Sequence, residues 1–184
     1  MTETIATLRW RALDRDGEDK CRLAHLGAGF MLVGHARFRD GAGWAALDYV
    51  VRIGADWATL SADVTGRHGD DDVAVKLSRG AGGDWTLNSV PQPQLAGCED
   101  VDFAFTPATK LMPLRRLPDV GRMTARAAWL RFPGPQVTPL TQSYTRERGQ
   151  IVAYHAAETD YATQLAVDTE GFVTIYPGLW EADG

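Results

Sequence analysis

Apolar and polar residues alternate with a period of two along most of this chain, and that rhythm restricts it to strands with one covered and one wet face. Leu8, Trp10 and Ala12 alternate with Thr7, Arg9 and Arg11. Leu47, Tyr49, Val51 and Ile53 lie opposite Asp48 and Arg52, and Ala58, Leu60, Ala62 and Val64 opposite Thr59, Ser61, Asp63 and Thr65. The pattern returns at Val73, Val75 and Leu77, at Val101, Phe103 and Phe105, and at Tyr161, Leu165 and Val167. Between these runs stand turn pairs such as Asp16-Gly17, Asp40-Gly41, Gly69-Asp70, Gly82-Gly83, Arg148-Gly149 and Glu170-Gly171. Their glycines supply the positive φ that tight hairpins need. Short strands joined by hairpin-scale turns predict a mainly β chain: a meandering antiparallel sheet, a sandwich, a roll or a ligand-binding barrel.

One window breaks the rhythm. Thr106 is suited to cap a helix and Pro107 to open one, because its missing N–H costs nothing at the first helical position. Leu111, Met112 and Leu114 supply apolar faces, while Pro113 should keep the helix short or kinked. The expectation is one short helix over about residues 107–116 in an otherwise β chain. No linker divides the sequence, so residues 1–184 are read as one domain.

At 184 residues the chain can bury a sizeable core, and 45% hydrophobic with 23% charged residues is an ordinary globular balance. A net charge of -5 argues against nucleic acid as the partner, since phosphate binding needs concentrated Lys and Arg. Cys21 and Cys98 are too few for a disulfide framework and are read as packed thiols. No apolar run reaches the ~20 residues of a membrane span, and the first residues lack the pattern of a signal peptide. A cytoplasmic location is expected. His25, His35, His68 and His155 have no metal-ligand spacing, no serine sits in a Gly-x-Ser-x-Gly elbow, and Gly27-Ala28-Gly29 lacks the third glycine of a nucleotide loop. Neither a catalytic motif, nor a metal, nor a cofactor is predicted.

Two constellations carry chemistry. Asp100 and Asp102 precede Arg115 and Arg116, with Glu99 beside them. If Val101, Phe103 and Phe105 face the core, the two aspartates share the opposite face of their strand. Such a pair can perform acid–base work or hold guanidinium groups by bidentate bonds; structural ion pairing is the plainer reading. The second constellation is aromatic: Trp129, Phe132, Tyr144, Tyr154, Tyr161, Phe172, Tyr176 and Trp180. Rings on a curved sheet can wall an apolar cavity or stack on sugars, although most aromatic side chains are plain core.

An ordered series of short segments resembles the bacterial family called putative glycolipid-binding proteins. They are Arg9-Trp10-Arg11-Ala12-Leu13-Asp14, Gly97-Cys98-Glu99-Asp100-Val101-Asp102-Phe103, Phe105-Thr106-Pro107 and Pro113-Leu114-Arg115-Arg116-Leu117. The series continues through Ala128-Trp129-Leu130-Arg131-Phe132-Pro133, Gln142-Ser143-Tyr144, and Val167-Asp168-Thr169-Glu170-Gly171-Phe172-Val173 to Tyr176-Pro177-Gly178-Leu179-Trp180. It departs from the family's helix pattern at Ala108, Lys110 and Leu111. The resemblance implies a spiral β-roll, a long antiparallel sheet wrapped around one short helix, that forms a homodimer. It also implies a likeness in shape to periplasmic carriers of lipoproteins and glycolipids, from which the family takes its name.

Residues and resemblance together lead to one expectation. A crevice between helix and sheet should hold an amphipathic lipid or glycolipid without catalysis. Arg115 and Arg116 would hold the polar or anionic head group, Asp100 and Asp102 would orient those arginines, and Trp129 and Tyr144 would contribute to the wall. Two other classes stay open: an enzyme acting on a small or lipid-like substrate through the Asp100/Asp102 pair, and a structural module whose crevice is filled by its own side chains.

Overall fold

The computed structural model describes residues 3–132 and 134–184. From the N-terminus run β1 (Thr4–Ala12), β2 (Gly17–Leu26), β3 (Gly29–Asp40), β4 (Gly43–Ile53), β5 (Thr59–His68) and β6 (Asp71–Arg79). Short strands β7 (Trp85–Leu87) and β8 (Val90–Pro91) follow, and then β9 (Asp100–Phe103). The helical segment is a 3-10 turn at Ala108–Lys110 that continues into α1 (Leu111–Arg116). The chain returns through β10 (Arg122–Arg131), β11 (Gln136–Arg146), β12 (Ile151–Ala156), β13 (Tyr161–Val167), β14 (Val173–Tyr176) and β15 (Trp180–Ala182).

All the strands join one sheet, ordered β8-β7-β6-β5-β4-β3-β2-β1-β15-β14-β13-β12-β11-β10-β9. The first and last strands are therefore neighbours in the middle, and two meanders run outward from them. Every pairing is antiparallel except β9 with β10, which is parallel. That exception follows from connectivity: an antiparallel return needs only a hairpin, whereas β9 reaches β10 through the helical segment. The expected mainly β architecture with a single short α-helix is what the described residues show.

The sheet curls until its β9 edge meets β5, near the opposite edge. The Thr59 N–H donates to the Glu99 carbonyl at 2.9 Å, and the Val101 N–H donates to Thr59 Oγ1 at 3.1 Å. Beyond Val101, the Phe103 N–H donates to Thr109 Oγ1 at 3.1 Å. Threonine hydroxyls thus satisfy the edge of β9 that faces away from β10. A buried edge would otherwise leave orphaned donors, each costing about 1–3 kcal/mol.

This closure depends on a register shift that alternation does not reveal. Ile53 pairs with Thr59, but Arg52 pairs with Ser61, so Leu60 is an extra residue in β5. The bulge reverses the expected faces: Leu60 is 51% exposed and Thr59 is fully buried. A second correction concerns β9. All four of its residues are buried, Asp100 and Asp102 included, because the strand lies inside the roll and has no wet face.

The helical segment sits at the centre. Leu111, Met112 and Leu114 are buried, and so are the polar Thr109 and Lys110. The Thr106 hydroxyl accepts the Ala108 N–H at 3.0 Å, supplying the predicted cap. Pro113 falls in the first turn of α1, where its missing N–H has no partner to lose, so it does not interrupt the six-residue helix. Around it packs a core of Trp10, Phe38, Leu47, Tyr49, Phe103 and Phe105, all nearly inaccessible; each such ring or branched chain contributes roughly 1.5–3 kcal/mol by leaving water. Gly34 is required here for space: a Cβ at that position would come within 2.1 Å of the Tyr49 ring.

Candidate functional site

Between the start of the helical segment and strands β10 to β15 lies a cavity of about 400 Å³. Trp129, Leu140, Tyr154, Ala156, Tyr161, Tyr176, Leu179 and Trp180 form most of its wall, with Phe103, Ala104 and Pro107 on the helix side. The alternation that makes strands also builds this wall, because inward residues on adjacent strands stand side by side. Tyr154 lies 6.4 Å centroid to centroid from Tyr161 and 6.0 Å from Tyr176, so the rings form a continuous aromatic surface. Trp129 is fixed from behind by Arg131, whose guanidinium carbon is 4.3 Å from the ring centre.

The polar groups concentrate at one end, where Asp102 and Lys110 form a buried ion pair with side-chain exposures of 6% and 7%. Asp102 also accepts from Gln142 Nε2 at 2.6 Å and from the Thr109 hydroxyl at 3.2 Å. Lys110 Nζ donates to the Tyr154 hydroxyl at 3.2 Å, and Gln142 Nε2 donates to the same oxygen at 2.9 Å. Burial, reinforced by the Asp102 charge, holds the Tyr154 pKa far above the ordinary phenol value, so it keeps its proton. A carboxylate accepts about four hydrogen bonds and an ammonium donates three. Each member of the pair therefore has capacity for one more bond.

The predicted constellation is split by the fold. Arg116 binds Asp100 bidentately, at 2.8 and 2.6 Å, and donates to the Trp57 carbonyl at 2.9 Å. Burial raises the Asp100 pKa, and the guanidinium offsets that only in part. Asp102 does not orient the arginines; it faces Lys110, because the eight-residue return from β9 brings the first helical turn over it. Arg115 points elsewhere, with its guanidinium carbon 4.4 Å above Trp57. Tyr144, paired across β11 and β12 with Tyr154, does not line the cavity; it is fully buried and donates to Gln142 Oε1 at 3.2 Å. Of the six sequence candidates, Asp102 and Trp129 line the cavity.

Lys110 and Gln142 escaped sequence reasoning. A usable signal existed for the lysine: Lys110 lies between Thr109 and Leu111 in a segment expected to be buried, and a buried ammonium needs a carboxylate. Gln142 carries no such signal, since a glutamine on a strand is usually at the surface. Among the described residues there is no group of His, Cys, Asp and Glu able to hold a metal ion, and no helix is long and apolar enough to cross a membrane.

A family model described as "Putative glycolipid-binding" matches residues 7–182. The chain belongs to this family. That is the family whose segments it resembles, and the match spans both meanders and the helix. The crystal structure of a DUF1089 family protein from Pseudomonas aeruginosa is similar to this chain, with a TM-score of 0.79 and 27% sequence identity over 90% of this chain and 91% of that one. No curated protein matches the chain.

Proposed function

We propose that the protein binds an amphipathic lipid or glycolipid in the aromatic cavity, with no chemical step. The observation that carries this reading is an apolar, aromatic-walled cavity of about 400 Å³ with its polar groups gathered at one end. The acyl portion lies along Tyr161, Tyr176 and Trp180, and the head group meets Asp102, Lys110 and Tyr154. Because Lys110 is neutralised by Asp102, a hydroxyl-bearing, uncharged head group fits better than an anion. Membership of a family named for glycolipid binding supports the same assignment. Asp100, Arg116 and Tyr144 serve as supports that hold β9, the helix and Gln142 in place. The Asp100/Asp102 acid–base alternative draws no support from this arrangement, since each carboxylate has a separate cationic partner.

Organic extraction of the purified protein, followed by mass spectrometry, should recover a lipid. Titration with alkyl glucosides below their micelle concentrations should give saturable binding. Two added methylenes should strengthen it roughly tenfold, at ~0.8 kcal/mol per CH₂. Trp129→Ala and Lys110→Met should each weaken it. No extracted lipid together with no saturable binding would exclude this function.

A further inference from the structure

At the opposite end of the helical segment is a second cavity, about 480 Å³ and separate from the aromatic one. Its polar lining includes Arg115, Arg146, Asp119, Asp168, Gln150 and Thr169. We propose that this cavity binds a phosphate-type oxyanion between the guanidinium groups of Arg115 and Arg146.

Arg115 is held in place before any ligand arrives. One face of its guanidinium lies on Trp57, which is itself stacked on Phe30 at a centroid distance of 4.0 Å. Trp57 adopts φ 65°, a left-handed conformation that is costly for a bulky side chain. Its carbonyl is fixed in that conformation by Arg116. On the other side Gly171 leaves room for the arginine: its φ is +93°, and a Cβ there would come within 2.9 Å of Arg115 Cδ. Arg115 Nη1 donates to the Glu170 carbonyl at 3.1 Å. Arg146 is anchored from behind, with Nε donating to the Pro118 carbonyl at 3.1 Å and Nη2 to the Leu117 carbonyl at 3.3 Å.

Carbonyl anchors fix both guanidinium planes without neutralising their charge. Nε and Nη2 of Arg115 and Nη1 of Arg146 remain as donors. The neighbouring carboxylates leave those donors alone. Asp168 Oδ1 accepts the Glu170 and Phe172 N–H groups of its own turn, at 3.0 and 2.8 Å. Among the described residues, neither Asp119 nor Asp168 comes within 4.0 Å of either guanidinium; the carboxylate that does is Glu170, 3.9 Å from Arg115. Arg116, next in sequence, has a bidentate carboxylate of its own. Two oriented guanidinium groups on one cavity, anchored by carbonyls and with Glu170 touching Arg115 only at Nη1 and 3.9 Å, keep donors that match the fork geometry recognising tetrahedral oxyanions.

Phosphate chemistry can come from a free anion or from a lipid head group, so the test has two arms. Inorganic phosphate is titrated calorimetrically into the full chain against chloride at matched ionic strength. Saturable binding is expected with phosphate alone, weakened about tenfold or more by Arg115→Gln and by Arg146→Gln. Arg115→Lys, which keeps the charge and loses the planar fork, should also weaken it. Arg122→Gln, at the exposed first residue of β10, should leave it unchanged, and unfolding midpoints verify that each variant folds. In the second arm, phosphatidylcholine vesicles with and without phosphatidic acid are co-sedimented with the protein. Retention that requires phosphatidic acid and Arg115 assigns the site to a lipid head group. Phosphate binding without such retention assigns it to a soluble phosphate. If neither arm detects binding, or if folded Arg115→Gln and Arg146→Gln bind as well as the unmodified protein, the proposal is wrong.

Discussion

Asp19 shows how far one residue can depart from what its type suggests. Its carboxylate is wholly inaccessible, on β2, and accepts hydrogen bonds from the Tyr49 hydroxyl at 2.8 Å and from Thr106. Its second oxygen, Oδ1, is buried with no partner. Burial pushes its pKa from 3.8 up to about 6, while the hydroxyls of Thr106 and Tyr49 pull it back. The folded chain therefore retains a proton that the unfolded chain releases between roughly pH 4 and 6. Protonated Asp19 favours the fold below about pH 4, and that contribution is lost as pH rises through about 6. The size of the effect is about 3 kcal/mol. Asp100 shifts in the same direction, so the informative quantity is the difference in unfolding free energy between the unmodified protein and Asp19→Asn. That difference should drift in favour of Asp19→Asn from pH 4 to pH 7 in urea titrations. A difference independent of pH would show that Asp19 titrates normally.

Between elements, the Arg116–Asp100 pair ties the end of α1 to the start of β9, with side-chain exposures of 17% and 1%. Pairs of this kind resist the loss of one partner far more than the loss of both, because a lone buried charge is the costly state. Arg116→Ala should destabilise the protein by about 3–5 kcal/mol, and Asp100→Asn combined with Arg116→Met by much less. Urea unfolding of the single and double variants measures this, and a single variant as stable as the parent would mean that the pair faces water. Lys110 and Asp102 repeat the arrangement six residues earlier, at the residue just before α1. Two ion pairs thus clamp a helix of only six residues, too short to be stable alone.

For the whole molecule, the seam between β5 and β9 turns a ladder of neighbouring hairpins into a roll. There the sheet bonds to a part of itself that is distant in strand order, and Trp85 of β7 adds a bond from its Nε1 to the Cys98 carbonyl at 3.0 Å. Thr59→Val preserves shape and removes the hydroxyl that accepts the Val101 N–H, at a cost of about 1–3 kcal/mol. Hydrogen exchange should then accelerate at Val101 and its neighbours in β9, while the middle of β12 keeps its protection. Equal acceleration everywhere would indicate global destabilisation with no special role for the seam. The roll also separates the two cavities, since the helix runs from one to the other.

Alternation determined the strands, the Thr106-Pro107 start determined the helical segment, and the hairpin turns determined that successive strands pair. Each of these is a local preference, with its cause within a few residues in sequence. The partners of the charged groups were decided elsewhere. Nothing near Asp102 distinguishes Lys110 from Arg115 as its partner; the path of the chain from β9 over the helix makes that choice. Likewise Leu60 and Thr59 exchange faces through a bulge in the pairing with β4, and Tyr144, side by side with Tyr154 on the neighbouring strand, is buried against Gln142 outside the cavity lining. Local patterning specifies which residues can be inward, but only the curvature of the closed sheet brings particular inward residues together. The cavity is a property of that curvature.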